Sequence, residues 1–125
     1  MQEDSLSTFG ALVAQKLRDP AIDRFENLNK GNRKAPGLKD LQAKLLALDP
    51  EAKDIVRRCV VTAIDAAIHD FLFCLQEGEL EGRSIEVLVD GENMAESSDG
   101  LHGEIFGESG WFAKFSAYGE PPKAA

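Results

Sequence analysis

The chain reads as an α+β domain, with N-terminal helices, one of them long and central, packed against a small C-terminal antiparallel sheet. Three observations point there. Between Asp49-Pro50 and Gly78 an apolar pattern runs without an internal glycine or proline. Gly78 and the seven glycines after it lie beyond that stretch, against three before it. Residues 1–58 hold 11 Lys/Arg and 9 Asp/Glu, a net of +2, whereas residues 59–125 hold 3 and 13, a net of −10, which together make the formal charge of −8. A near-neutral helical front is followed by a turn-rich acidic back.

At 125 residues the chain has room for one domain. We place it at residues 1–119 and expect residues 120–125, Glu120-Pro121-Pro122-Lys123-Ala124-Ala125, to form a disordered tail.

Each element has its own signal. Leu6, Phe9, Leu12, Val13 and Leu17 recur at helical spacing and predict a helix that stops before Asp19-Pro20. Asp19 then caps a second helix with Pro20 at its first position, an apolar stripe of Ile22, Phe25 and Leu28, and Gly31 as its stop. Leu38, Leu41, Leu45 and Leu48 mark a third, short helix. Asp49-Pro50 repeats the start signal and opens the longest helix, about residues 50–77, closed by Gly78.

At roughly 100° per residue, Val56, Val60, Ala63, Ile64, Ala67, Phe71, Cys74 and Leu75 share one side of that helix, which we expect to be its core face. Arg58, Thr62, Asp65, His69 and Gln76 fall opposite, on the expected solvent side. Near its end Phe71-Leu72-Phe73-Cys74-Leu75 is apolar all round and needs cover, from the C-terminal half or from a second subunit. Beyond Gly78, Ser84–Val89 predicts a strand that ends at an Asp90-Gly91 turn. Trp111–Tyr118 predicts a second strand, and Ser98–Gly107 between them reads either as a short capped helix or as a third strand.

The negative charge argues against nucleic acid as a partner, because neutralising phosphates takes a basic surface. No uninterrupted apolar run approaches ~18 residues, so no membrane span is expected. MQEDSLSTFG lacks the basic start and apolar core of a signal peptide, which points to the cytoplasm. Cys59 and Cys74 would lie roughly 22 Å apart on one helix, too far for a disulfide, and are expected to be reduced and buried.

Chemistry-bearing residues are few. His69 follows Asp65 by four positions on one helix face, so the two side chains can meet. His102 and Glu104 lie in a glycine-rich loop, and folding it over the long helix would bring two imidazoles and two carboxylates together. Asp70 falls on the apolar side beside Ala63, Ala66 and Ala67, where a carboxylate needs a donor. The signatures of P-loop enzymes, dinucleotide-binding folds, serine hydrolases, zinc fingers and calcium loops are all absent, so no cofactor and no metal site are expected. Lys30, Arg33, Lys34 and Lys39 form a basic cluster that reads as a solvated turn.

In size and charge the chain is similar to bacterial immunity proteins, which neutralise a cognate toxin by blocking its active surface. The reading that follows is a small, acidic, non-catalytic binding protein of immunity or antitoxin type. Its C-terminal half would meet a basic partner protein through Glu79, Glu81, Glu86, Glu92, Glu96 and Glu108. The alternative is an enzyme, or a metal- or ligand-binding protein, that uses Asp65, His69, Asp70, His102 and Glu104. A homodimer through Phe71–Leu75 is a third possibility.

Overall fold

The computed structural model describes residues 4–120. Its elements, in chain order, are α1 (Ser5–Leu12), a π-helical turn (Val13–Arg18), α2 (Asp19–Asn29), a 3-10 turn (Pro36–Leu38), α3 (Lys39–Leu46), α4 (Pro50–Glu77), β1 (Glu79–Leu80), β2 (Arg83–Ser84), β3 (Leu88–Val89), β4 (Glu92–Asn93), α5 (Met94–Ser97), a 3-10 turn (Leu101–Gly103) and α6 (Trp111–Phe115). The architecture is α+β, helical with a long central helix and two small antiparallel sheets near the C-terminus. Of the expected tail, residues 121–125 lie outside the described residues.

α1 and α2 do not separate at Asp19-Pro20 as the sequence suggested. Asp19 is helical, with φ −58° and ψ −46°, and the π turn joins the two into one continuous rod. Pro20 has no N–H to donate and its ring crowds the carbonyl one turn back. The π turn relieves that conflict: Asp19 N–H donates to Ala14 O, five residues earlier, which widens the backbone just ahead of the proline.

α4 starts and stops where expected. Asp49 accepts a hydrogen bond from Ala52 N, Pro50 takes the first position, and Gly78 ends the helix in the left-handed conformation at φ 71°. Its rotation differs from the expectation. The buried face carries Val61, Asp65, Ile68 and Leu72, whereas Ala63, Ala67, Phe71 and Cys74 are exposed. Hydropathy favours the side that is exposed, since only Phe71–Leu75 is apolar all round, and hydropathy alone therefore orients the helix wrongly. An ion pair between Asp65 and Arg18 turns the other side inward. Both cysteines are free, and both are exposed rather than buried.

The strand predicted at Ser84–Val89 is split between two hairpins. Glu81-Gly82 (φ 52° and 78°) and Asp90-Gly91 (φ 49° and 84°) have the successive positive φ angles of the two-residue turns that suit a hairpin. The outer hydrogen bonds run from Ile85 N to Gly78 O and from Met94 N to Val87 O, leaving Glu86 between the units. Each hairpin is two residues deep, pairing Glu79 with Ser84 and Leu88 with Asn93 at its outer register.

The second predicted strand is a helix. Trp111 and Phe112 are buried and Phe115 half-buried, a spacing that suits one side of a helical turn as well as a strand. Trp111 N and Phe112 N donate to Glu104 O and Ile105 O, so the loop before α6 satisfies its first amides. The segment before it holds a 3-10 turn rather than a capped helix or a strand.

The core gathers Phe9, Val13, Ala14, Ile68, Leu72, Met94, Leu101, Ile105, Trp111 and Phe112, so it lies between α1, the C-terminal half of α4 and the last third of the chain. Trp111 stands edge-on to Phe9 with ring centroids 5.8 Å apart and presses on Gly10, where an added Cβ would fall 2.4 Å from its indole nitrogen. By length and composition α4 is long and apolar enough to cross a membrane, although charged residues interrupt its apolar run. Its inner face is the one built around a buried ion pair.

Candidate functional site

The acidic back half supplies the most exposed and least neutralised set of charges. Glu79, Glu81 and Glu92 sit within the two consecutive hairpins with Glu86 between them, Glu96 follows on α5, and Glu108 lies in the separate loop before α6. All six are exposed. Glu79 accepts a hydrogen bond from Gly82 N at 2.8 Å and so closes its own turn. Of the acids in this half, among the described residues, only Asp65 pairs with a lysine or arginine. Large apolar side chains stand among the glutamates: Leu80 is 64% exposed, Leu88 57% and Ile85 40%. Two short hairpins have no inner face deep enough to cover them.

Beside the second hairpin, α1 and α4 leave an apolar groove of about 280 Å³. Phe9, Leu12, Leu17, Phe71, Leu75 and Val87 line it, with Lys16 at the edge. Its size suits one or two apolar side chains better than a cofactor.

The residues of the catalytic or ligand-binding alternative fall into two shallow depressions. Asp65, His69 and Asp70 line one with Thr62 and Phe106; His102 and Glu104 line the other with Asp99. His69 and His102 do converge, with ring centroids 5.4 Å apart and planes at 82°, and Phe73 packs edge-on to His102 at 5.0 Å. Gln76 holds the loop in place by accepting from Leu101 N and donating to Ala95 O, each at 2.8 Å. Glu104 accepts from Ser98 Oγ at 2.7 Å.

Asp65 and His69 do not pair as their spacing suggested. Both Asp65 oxygens accept from Arg18, at 2.7 and 3.1 Å, while His69 Nδ1 meets Asp70 at 3.1 Å. Asp70, expected to need a donor in an apolar notch, has a side chain 81% exposed, because that side of α4 faces out. Among the described residues no three His, Cys, Asp or Glu side chains are grouped to hold a metal ion. What remains is an exposed imidazole oriented by a carboxylate, with a second imidazole at its edge.

Sequence reasoning missed Arg18. Its side chain is 1% exposed, and it donates to Asp65, to Ser116 Oγ at 2.9 Å and to Gly119 O at 2.5 Å, with its guanidinium 4.0 Å above the Phe112 ring. Nearby, Asp19 accepts from Ser116 Oγ and Ala117 N, and Tyr118 donates its hydroxyl to Asp23. The aspartates at 19 and 23 precede this segment by about a hundred residues, and nothing local in the sequence marks Arg18 apart from the neighbouring Lys16. No family model, no curated protein and no solved structure matches this chain.

Proposed function

We propose that this is a small, acidic, non-catalytic binding protein of immunity or antitoxin type, which holds a basic partner protein through its C-terminal half. One observation carries the reading: Glu79, Glu81, Glu86 and Glu92 stand exposed on two hairpins and the residue joining them, unpaired with lysine or arginine among the described residues, and interleaved with exposed Leu80, Ile85 and Leu88. Unneutralised carboxylates speed encounter with a positive surface and penalise acidic competitors. Adjoining apolar side chains supply the desolvated contacts from which most binding energy comes. The apolar groove beside the second hairpin extends the same surface.

A tagged chain should capture a basic protein from extracts of its host at about 0.1 M salt and release most of it by about 0.5 M. Replacing Glu79, Glu86 and Glu92 together by Gln should weaken that capture at low salt. An acidic captured partner, or one held equally at both salt concentrations, overturns the reading.

A further inference from the structure

We propose that the outward side of α4 is a two-fold interface on which a second copy of this chain packs antiparallel, helix against helix. The starting observation is a core helix that is mostly uncovered: only 22% of its most apolar 18-residue window is buried. Ala63, Ala67, Phe71, Phe73, Cys59 and Cys74 all face solvent, with Phe71 58% and Phe73 45% exposed. An apolar helix face of this length is normally covered by another element.

The spacing names the cover. Lys53, Val56, Val60, Ala63, Ala67, Asp70, Cys74 and Glu77 follow one another at alternating intervals of three and four residues, the seam of a coiled coil. They are also placed symmetrically about position 65. Two copies laid antiparallel therefore set Ala63 opposite Ala67, Val56 opposite Cys74, and Lys53 opposite Glu77, each pair occurring twice. The seam ends in opposite charges, positive near the start of α4 and negative near its finish, so the antiparallel arrangement pairs them and the parallel one sets like against like. Small residues at the centre let the axes approach to about 8 Å. Asp70, which would face Val60, breaks the apolar run once, and a lone polar position of this kind pins register at some cost in affinity. The partner is thus a second copy rather than an unrelated helix, because the pattern is complementary to itself.

A seam of roughly 36 Å is a modest contact, and a dissociation constant in the micromolar range is expected. Sedimentation velocity of the intact chain from about 1 to about 200 μM should show a monomer–dimer equilibrium. Ala67→Glu, exposed in the monomer, should abolish the dimer. Lys53→Glu or Glu77→Lys alone should weaken it about five- to tenfold, and the double variant should restore it. Each of these reversals suits the end of the helix it occupies, acid at the start and base at the finish, so lost association would not reflect a lost fold. A chain that stays monomeric across the range, or a dimer indifferent to Ala67→Glu, overturns the proposal. So does a double variant as weak as either single one.

Discussion

Arg18 shows how one side chain can decide which face of a helix turns inward. It donates four hydrogen bonds, two to Asp65 and one each to Ser116 and Gly119, and its flat face lies on Phe112. Replacing it by Met would leave Asp65 buried without a counter-charge, which costs about 3–5 kcal/mol. The double variant Arg18→Met/Asp65→Leu should unfold at a higher urea concentration than Arg18→Met alone, because no orphaned charge remains. Tyr118 offers a second check. Its hydroxyl bonds Asp23, and this contact, then burial and the nearby carboxylates, push its pKa up from about 10 to about 12. A raised value means that the protonated phenol is favoured by folding. The stability it contributes is complete below about pH 10 and disappears as pH climbs through about 12. The chain has one tyrosine, so its ultraviolet titration is unambiguous, and Asp23→Asn should bring the midpoint down toward 10.

Helix ends were the most legible elements, because their chemistry is local. Asp49, Pro50 and Gly78 bound α4 within a residue of where capping and φ preferences place them. Gly78→Ala should cost about 1 kcal/mol, measured by urea denaturation, since φ 71° strains any residue with a Cβ. What stayed hidden depended on distant partners. The inward face of α4 was missed because Arg18, far away in sequence, selects the side that carries Asp65 over a more apolar alternative. The helix at Trp111 was read as a strand because two adjacent aromatics and a third nearby fit either period. Its true environment is the notch at Gly10, where Gly10→Ala gains helix propensity of about 1 kcal/mol yet drives a methyl into the indole. We expect a net loss of about 1–3 kcal/mol, read from the same denaturation curves. Of the candidate site, the exposure of the glutamates was legible from composition and turn signals. The division of Ser84–Val89 into two hairpins was not, since Glu81-Gly82 is a less familiar turn pair than Asp90-Gly91.

The molecule separates its charge along the chain, and among the described residues every acid of the second half except Asp65 lacks a lysine or arginine partner. Addition of salt should therefore stabilise it, by screening repulsion among the exposed carboxylates, and the midpoint of thermal unfolding should rise modestly between about 0.02 and about 0.2 M salt. A midpoint that falls would mean the surface ion pairs outweigh that repulsion. α4 is contacted by α2 and the π turn from the earlier part of the chain, and by α5 and the loop at Leu101–Gly103 from the later part.

The meeting of the first and last helices sets the pace at which the chain can fold. Gln15 reaches Phe115 across 100 residues, and Arg18 reaches Gly119 across 101. Those contacts form only after the ends of a very long loop have found one another, although most of the chain is helix. Stopped-flow refolding should then show helical circular dichroism returning early, while emission from Trp111, wedged between those ends, recovers later and on a slower phase than a helical bundle of local contacts would give.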